Sequence, residues 1–80
     1  MEKALAKHVV VQSFRAVDKI TSLVPLLKEH CSEEEYRALA LAIARSAANI
    51  KSEMIDLVYA RYPEIEEEVD RDIERYERVL

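Results

Sequence analysis

The fold is decided by residues 32–44, which read SEEEYRALALAIA. Ser32 followed by Glu35 is a capping box, in which each side chain accepts a hydrogen bond from the other residue's backbone amide at a helix N-terminus. The apolar run that follows, Ala38 to Ala44, is far shorter than the ~20 residues that a membrane span needs. The segment therefore predicts a helix that begins at Ser32 and does not cross a membrane.

Glycine is absent from all 80 residues of the chain. Because glycine supplies left-handed turns and lets a backbone approach phosphate closely, its absence excludes Gly-rich nucleotide loops, EF-hand turns and most tight hairpins. The remaining stop signals for helices are Pro25, the Ser32 cap and Pro63. The composition predicts an all-α fold in one domain over residues 1–80, with little loop on which a catalytic site could be placed.

The first helix is predicted over residues 2–30, with its apolar side chains on one face. Pro25 removes the amide that would bond to the carbonyl of Thr21, so we expect a kink near Pro25 or a restart near Ser22. The apolar face contains Leu5, Val9, Val10, Phe14, Val17, Ile20, Leu23, Val24 and Leu27.

The second helix is predicted over residues 33–62. Spacings of three and four residues produce an a/d seam that we expect to serve core or dimer packing: Ala40, Ile43, Ala47, Ile50, Met54 and Leu57. A second row widens the apolar arc to about 200°: Leu41, Ala44, Ala48, Ile55, Val58, Tyr59 and Tyr62. The short connection at Cys31 and Ser32 predicts that the first two helices lie antiparallel.

The third helix is predicted over residues 63–80. Pro63 suits the first position of a helix, and Glu64, Glu66 and Glu67 match the dipole of its first turn. A narrow apolar stripe follows, made of Ile65, Val69, Ile73, Tyr76 and Leu80. Because this stripe is in phase with the arc of the second helix, residues 33–80 could also form one long helix that is kinked at Pro63.

The length of the helices predicts a homodimer. Two helices of about 28 residues are about 42 Å long, whereas a compact chain of this size is about 30 Å across. A third helix with a thin stripe covers only part of the second apolar row. We therefore expect a long antiparallel hairpin plus a short third helix, dimerising into a four-helix-bundle-like core.

The net charge of −4 disfavours nucleic acid as a partner. The charge is also polarised: residues 1–31 have five bases and three acids, whereas residues 63–80 have three and eight. This predicts pairing of a basic first helix with an acidic tail, within a chain or between chains. Lys3 and Lys7 precede no apolar signal segment, and the single Cys31 fits a reducing compartment, so we expect a cytoplasmic protein.

Lys51 is the most unusual residue, because it falls within the apolar arc of the second helix. With Arg37, Arg61 and the hydroxyls of Tyr59 and Tyr62, it could bind an anion inside the bundle. The alternative is that Lys51 extends past the apolar surface to water or pairs with an acid, for which the candidates are Asp18, Asp70 and Asp72.

Metal and cofactor chemistry has little support in the sequence. His8 and His30 lie 22 residues apart on one helix, and Cys31 lacks an orienting group. We expect no metal, no cofactor and no catalytic residue.

The sequence favours a non-enzymatic protein–protein interaction or regulatory module, in which the acidic third helix and the polar strip of the first helix contact a partner. The alternative is a small-molecule anion-binding protein or a simple enzyme with a pocket in the bundle.

Overall fold

The computed structural model describes the backbone of residues 1–79 and the side chains of residues 1–72. Its elements are α1 (Lys3–Thr21), α2 (Leu23–His30), α3 (Glu33–Ile50), a π-helical turn (Lys51–Ile55), α4 (Asp56–Arg61) and α5 (Pro63–Val79). No strand occurs within residues 1–79, which confirms the prediction of an all-α fold.

The capping box at the start of α3 is confirmed. The backbone amide of Glu35 donates to Ser32 Oγ at 3.2 Å, and the amide of Ser32 donates to Glu35 Oε1 at 3.4 Å. Cys31 is extended, with φ −104° and ψ 159°, so the chain reverses between α2 and α3 within two residues. Both α1 and α2 contact α3, and the two halves form an antiparallel hairpin.

The first arm of the hairpin is interrupted at Ser22. Pro25 has no amide to donate to the Thr21 carbonyl. Next to this gap, Thr21 Oγ1 donates to Val17 O at 2.8 Å and Ser22 Oγ donates to Lys19 O at 2.6 Å. Hydroxyls that bond back to the preceding turn favour a bend. The arm is therefore two helices, α1 and α2, rather than one.

The second arm contains a π-helical turn that the sequence did not reveal. The amide of Asp56 donates to Lys51 O, five residues earlier, instead of to a carbonyl four residues earlier. One additional residue in a turn rotates everything beyond it by about 100° relative to a continuous α-helix. The row of apolar side chains that faces the rest of the chain is therefore a different row after this turn.

This rotation decides which side chains of the second arm are buried within a single chain. Ile55 and Val58 are 1% and 5% exposed, whereas Met54 and Leu57 are 46% and 52% exposed. Ala40, Ile43, Ala47 and Ile50 are partly buried. The seam is therefore not continuous within one chain, and a role for Met54 and Leu57 in dimer packing stays a prediction.

The second arm ends at Arg61, and α5 begins a separate helix at Pro63. Tyr62 between them has φ −134° and ψ 71°, outside the helical region. From this break α5 returns to the beginning of α1, where Lys3 Nζ lies 2.7 Å from Glu68 Oε1. The structure therefore has two helices here and not one long helix kinked at Pro63.

Most of the buried apolar side chains lie at one end of the hairpin, where α1, the second arm and α5 converge. Those whose burial defines the core are Ala6, Val10, Ile55, Val58, Ile65 and Val69. Neither α2 nor α3 contributes a buried residue. The half of the hairpin nearest the α2–α3 connection therefore has no core of its own.

The molecule is long and thin. Its extents are 45 × 30 × 14 Å and its radius of gyration is 15.3 Å, against about 12 Å for a compact chain of this length. The half of the hairpin formed by α2 and α3 is one layer of two helices, because α5, in the described part of the chain, contacts only α1 and α4, at the other end. Stable domains usually pack two or more layers around a core.

Replacing the cap tests the start of α3. We expect Ser32→Ala to lower the free energy of unfolding by about 1 kcal/mol, because the Glu35 amide loses its acceptor. Ser22→Ala is the matched control, because the Ser22 side chain caps no helix. Urea unfolding followed by circular dichroism measures both, and equal effects of the two substitutions would contradict the assignment.

Truncation of one side chain within the π-helical turn and of one in α3 tests the packing role of the turn. We expect Ile55→Ala to cost about 2–5 kcal/mol, because it leaves a cavity in the core. Leu41→Ala, at a position that is 52% exposed, should cost less than about 1 kcal/mol. The same unfolding experiment compares them, and a smaller cost for Ile55→Ala than for Leu41→Ala would contradict this packing.

Candidate interaction surface

An open apolar groove of about 290 Å³ lies between α1 and the second arm, near the π-helical turn. Among the residues that the structure describes, no Asp, Glu, Lys or Arg lines this groove. The residues that line it are His8, Val9, Gln12, Ser13, Ala16, Ile50 and Met54. An apolar groove without charges is suited to receive another apolar side chain.

Ser13 forms the floor of the groove. It is 4% exposed, its Oγ donates to Val9 O at 2.7 Å, and Met54 Sδ lies 4.0 Å away. The hydroxyl is satisfied by its own helix, so it can be buried at little cost. The small side chain at this position lets Met54 pack over α1.

Sequence reasoning missed this groove. The position of Ser13 on the apolar face of the first helix was the available signal, because Val10 and Val17 are its neighbours three residues before and four residues after. Met54 lies beside Ser13 because of the π-helical turn, and its place could not be found from helical periodicity alone.

A second cluster, of charged residues, joins the ends of α1 and α5. Lys3 Nζ bonds Glu68 Oε1 at 2.7 Å, and Lys7 Nζ lies 3.7 Å from Glu68 and 3.4 Å from Asp72. The hydrogen bond from Lys3 lowers the pKa of Glu68, and the same bond raises the pKa of Lys3. The expected pairing of a basic first helix with an acidic tail thus occurs within one chain.

The two candidate tyrosines support the core. Tyr59 and Tyr62 both pack against it, and Tyr62 Oη donates to the Met1 carbonyl at 3.0 Å. The pKa of Tyr59 is raised, chiefly because its side chain is partly buried and also because the carboxylates of Asp70 and Glu66 lie nearby. The side chain of Tyr76, which belongs to the predicted apolar stripe of the third helix, lies outside the described residues.

The candidate cations Arg37, Lys51 and Arg61 are all exposed. Arg37 pairs with Glu33 at 2.7 Å, one turn away on α3. Arg61 ends α4, 24 residues further on, a helical separation of about 36 Å. The structure does not bring these residues together into one anion pocket.

Lys51 begins the π-helical turn, and among the described side chains it pairs with none of Asp18, Asp70 and Asp72. Asp72 instead pairs with Lys7. The sequence-based alternative that remains for Lys51 is an ammonium group extended into water.

The histidines and Cys31 lie apart. His8 lines the groove, His30 ends α2, and Cys31 lies in the connection between the arms. Within residues 1–72, no group of three His, Cys, Asp or Glu side chains could hold a metal ion. No helix in the described part of the chain combines the length and apolar character of a membrane span.

Comparison with known proteins adds no relative. The chain matches no protein-family model, no curated protein and no solved structure. The fold and the surface define it as a small all-helical protein with a large uncovered apolar area, and any function must be inferred from that surface.

The carboxyl group of Glu68 provides a titration test. Its folded pKa is lowered, so its stabilising effect is present above the unfolded value, near 4.5, and is lost as the pH falls through the folded pKa. We expect Lys3→Met to return this pKa toward 4.5, and Lys7→Met to do so less. Carboxyl carbon NMR measures the pKa directly, and an unchanged value in Lys3→Met would contradict the hydrogen bond.

Proposed function

We propose that the protein is a small, non-enzymatic protein–protein interaction module that works as a cytoplasmic homodimer. The observation that carries the proposal is the half of the hairpin formed by α2 and α3, where two helices lie side by side with no buried residue although they contain many apolar ones. Covering these two helices requires a second layer, and a second chain can supply it.

The accessible surface supports association. The chain exposes 6338 Å², whereas a compact monomer of 9.3 kDa exposes about 5,000 Å². The surplus of about 1,300 Å² exceeds the roughly 800 Å² that each partner buries in a standard interface, and it is within the range of obligate homodimers. The amount of uncovered surface is therefore what a stable dimer needs.

The exposed large hydrophobic side chains are spread along both arms of the hairpin. They include Leu5, Leu23, Leu26, Leu39, Leu41, Met54 and Leu57. A contiguous apolar patch is typical of protein interfaces, and part of this set is proposed to form one. Ser13, the buried polar group at the groove, is bonded to its own helix, which favours packing over chemistry as the role of this surface.

The acidic side of α5 is the proposed contact for a further protein partner. Glu68 and Asp72 are engaged with α1, whereas Glu64, Glu66, Glu67 and Asp70 are exposed. A surface of one sign steers a partner of the opposite sign toward it. The partner proposed for α5 is therefore a protein with a basic surface.

The molar mass in solution tests the homodimer. We expect sedimentation equilibrium at micromolar concentration to give twice the chain mass of 9.3 kDa. The apolar surface should keep the dimer together in 1 M salt, since burial of apolar area is not screened. A mass of one chain under these conditions would overturn the proposal.

Neutralising α5 tests the second contact. We expect a variant with Glu66→Gln, Glu67→Gln and Asp70→Asn to lose a basic protein that the unaltered chain captures. A variant with Glu29→Gln, Glu34→Gln and Glu53→Gln has the same net charge and should keep it. Affinity capture with quantitative mass spectrometry compares them, and equal capture by both variants would contradict a role for α5.

A further inference from the structure

The packing site of α5 on the hairpin is well defined. Within the described part of the chain, α5 contacts only α1 and α4. Two of its side chains, Ile65 and Val69, are 0% and 5% exposed. They share one buried cluster with four apolar side chains of the hairpin, which we call the seat. The seat consists of Ala6, Val10, Ile55 and Val58. Without α5, the seat would be open to water.

Charges beside the seat select the kind of helix that fits it. Lys3 Nζ lies 2.7 Å from Glu68 Oε1, and Lys7 Nζ lies 3.4 Å from Asp72 Oδ2. In α5, each buried apolar residue is followed three positions later by one of these acids, which places both acids beside the apolar stripe. The seat therefore fits an amphipathic helix with acids along one edge of its apolar stripe.

A single residue joins α4 to α5. α4 ends at Arg61 and α5 begins at Pro63, so the chain turns back at Tyr62 alone. Two antiparallel helices are usually joined by about 2–5 residues, and a left-handed glycine commonly ends the first of them. This chain has no glycine, and none of the described residues has a positive φ. The connection is therefore short and stiff.

A short, stiff connection reduces the preference of a chain for its own α5. The advantage of a contact within one chain depends on how easily the connection spans it. Short connections therefore favour exchange of an element between two copies of a chain. The hairpin closes through neighbouring residues, whereas seating α5 needs contacts across 65 residues, as between Lys3 and Glu68. Hairpins with an empty seat therefore coexist with unseated α5 during folding, and two copies can meet in this state.

We infer that the two chains of the homodimer exchange α5 through the connection at Tyr62, so that each seat holds the α5 of the other copy. This inference rests on the proposed homodimer and names one contact that holds it together. A second copy is the occupant because its α5 repeats the apolar residues and the acids of the helix that the seat fits. Only the backbone at Tyr62 has to change, and the described buried and paired side chains of α5 keep the same partners, now on the other copy.

Exchange turns the contacts of α5 into contacts between chains. Each chain gives two apolar side chains to a seat and receives two, and the ion pairs of Lys3 and Lys7 cross between the copies. Such an interface is closed, because both seats are filled and none is left open for a third chain. Glu66, Glu67 and Asp70 are exposed beside the seated stripe, so exchange leaves the acidic side of α5 available to a further partner.

Isotope mixing with zero-length cross-linking tests the exchange. Equal amounts of unlabelled chain and chain labelled with a heavy nitrogen isotope are unfolded together in urea and refolded, and sedimentation measures the mass. A carbodiimide then joins the Lys3 amine to the Glu68 carboxylate, and mass spectrometry identifies the linked peptides. We expect about half of the linked pairs to contain one labelled and one unlabelled peptide, because exchanged copies pair at random. Labelled and unlabelled protein that are refolded separately and mixed just before linking are the control and should give no mixed pairs.

The outcomes separate this inference from the proposed function. A dimer mass with mixed pairs above the control supports both. A dimer mass with mixed pairs at the level of the control, or with no link between Lys3 and Glu68, overturns the exchange while the homodimer stands. A mass of one chain overturns both.

Lengthening the connection tests its role in the exchange. Inserting Gly-Ser-Gly between Tyr62 and Pro63 gives α5 a flexible return to its own seat, so we expect the share of mixed pairs to fall at least about fivefold. The same insertion between Cys31 and Ser32 is the matched control and should leave the share unchanged, because that connection does not carry α5. Circular dichroism checks the helix content of both variants. An equal share in the two variants would overturn the assignment of the exchange to the connection at Tyr62.

Discussion

Burial of a few branched side chains at one end of the hairpin holds the molecule together. Val10, Ile55 and Ile65 are the largest fully buried side chains, and they come from three different elements, α1, the π-helical turn and α5. Three features bring them together: the π-helical turn that redirects Ile55, the break at Tyr62, and the ion pairs of α5 with α1. The other end of the hairpin is ordered by local helix signals and by contact between its two arms.

The local signals were sufficient to predict much of this architecture. Ser32 and Glu35 specify a helix start through bonds within four residues, and Pro63 stops a helix through its own ring, so neither depends on the rest of the chain. The π-helical turn could not be predicted in this way. The apolar arc of the second helix is so wide that it accommodates either phase, and the choice is made by packing against α1 and α5.

The same contrast between local signals and distant packing explains the outcome for the candidate functional residues. Lys51 was singled out by extrapolating an α-helical wheel up to the residue where the π-helical turn begins. The charge polarity of the sequence correctly indicated an attraction between the first helix and the tail, but not whether it acts within or between chains. Ser13 was not among the predicted residues of the apolar face, because its role depends on Met54, 41 residues away.

The contact between Lys3 and Glu68 spans 65 residues, and this has a consequence for the order of folding. The hairpin closes through neighbouring residues, whereas the core requires a loop that includes nearly the whole chain, and distant contacts form late. During synthesis the apolar surface of the two arms therefore stays uncovered until residues 65–69 have left the ribosome. Unfolding follows the reverse order and begins with the release of α5. Amide exchange should therefore be faster in α5 than in α1.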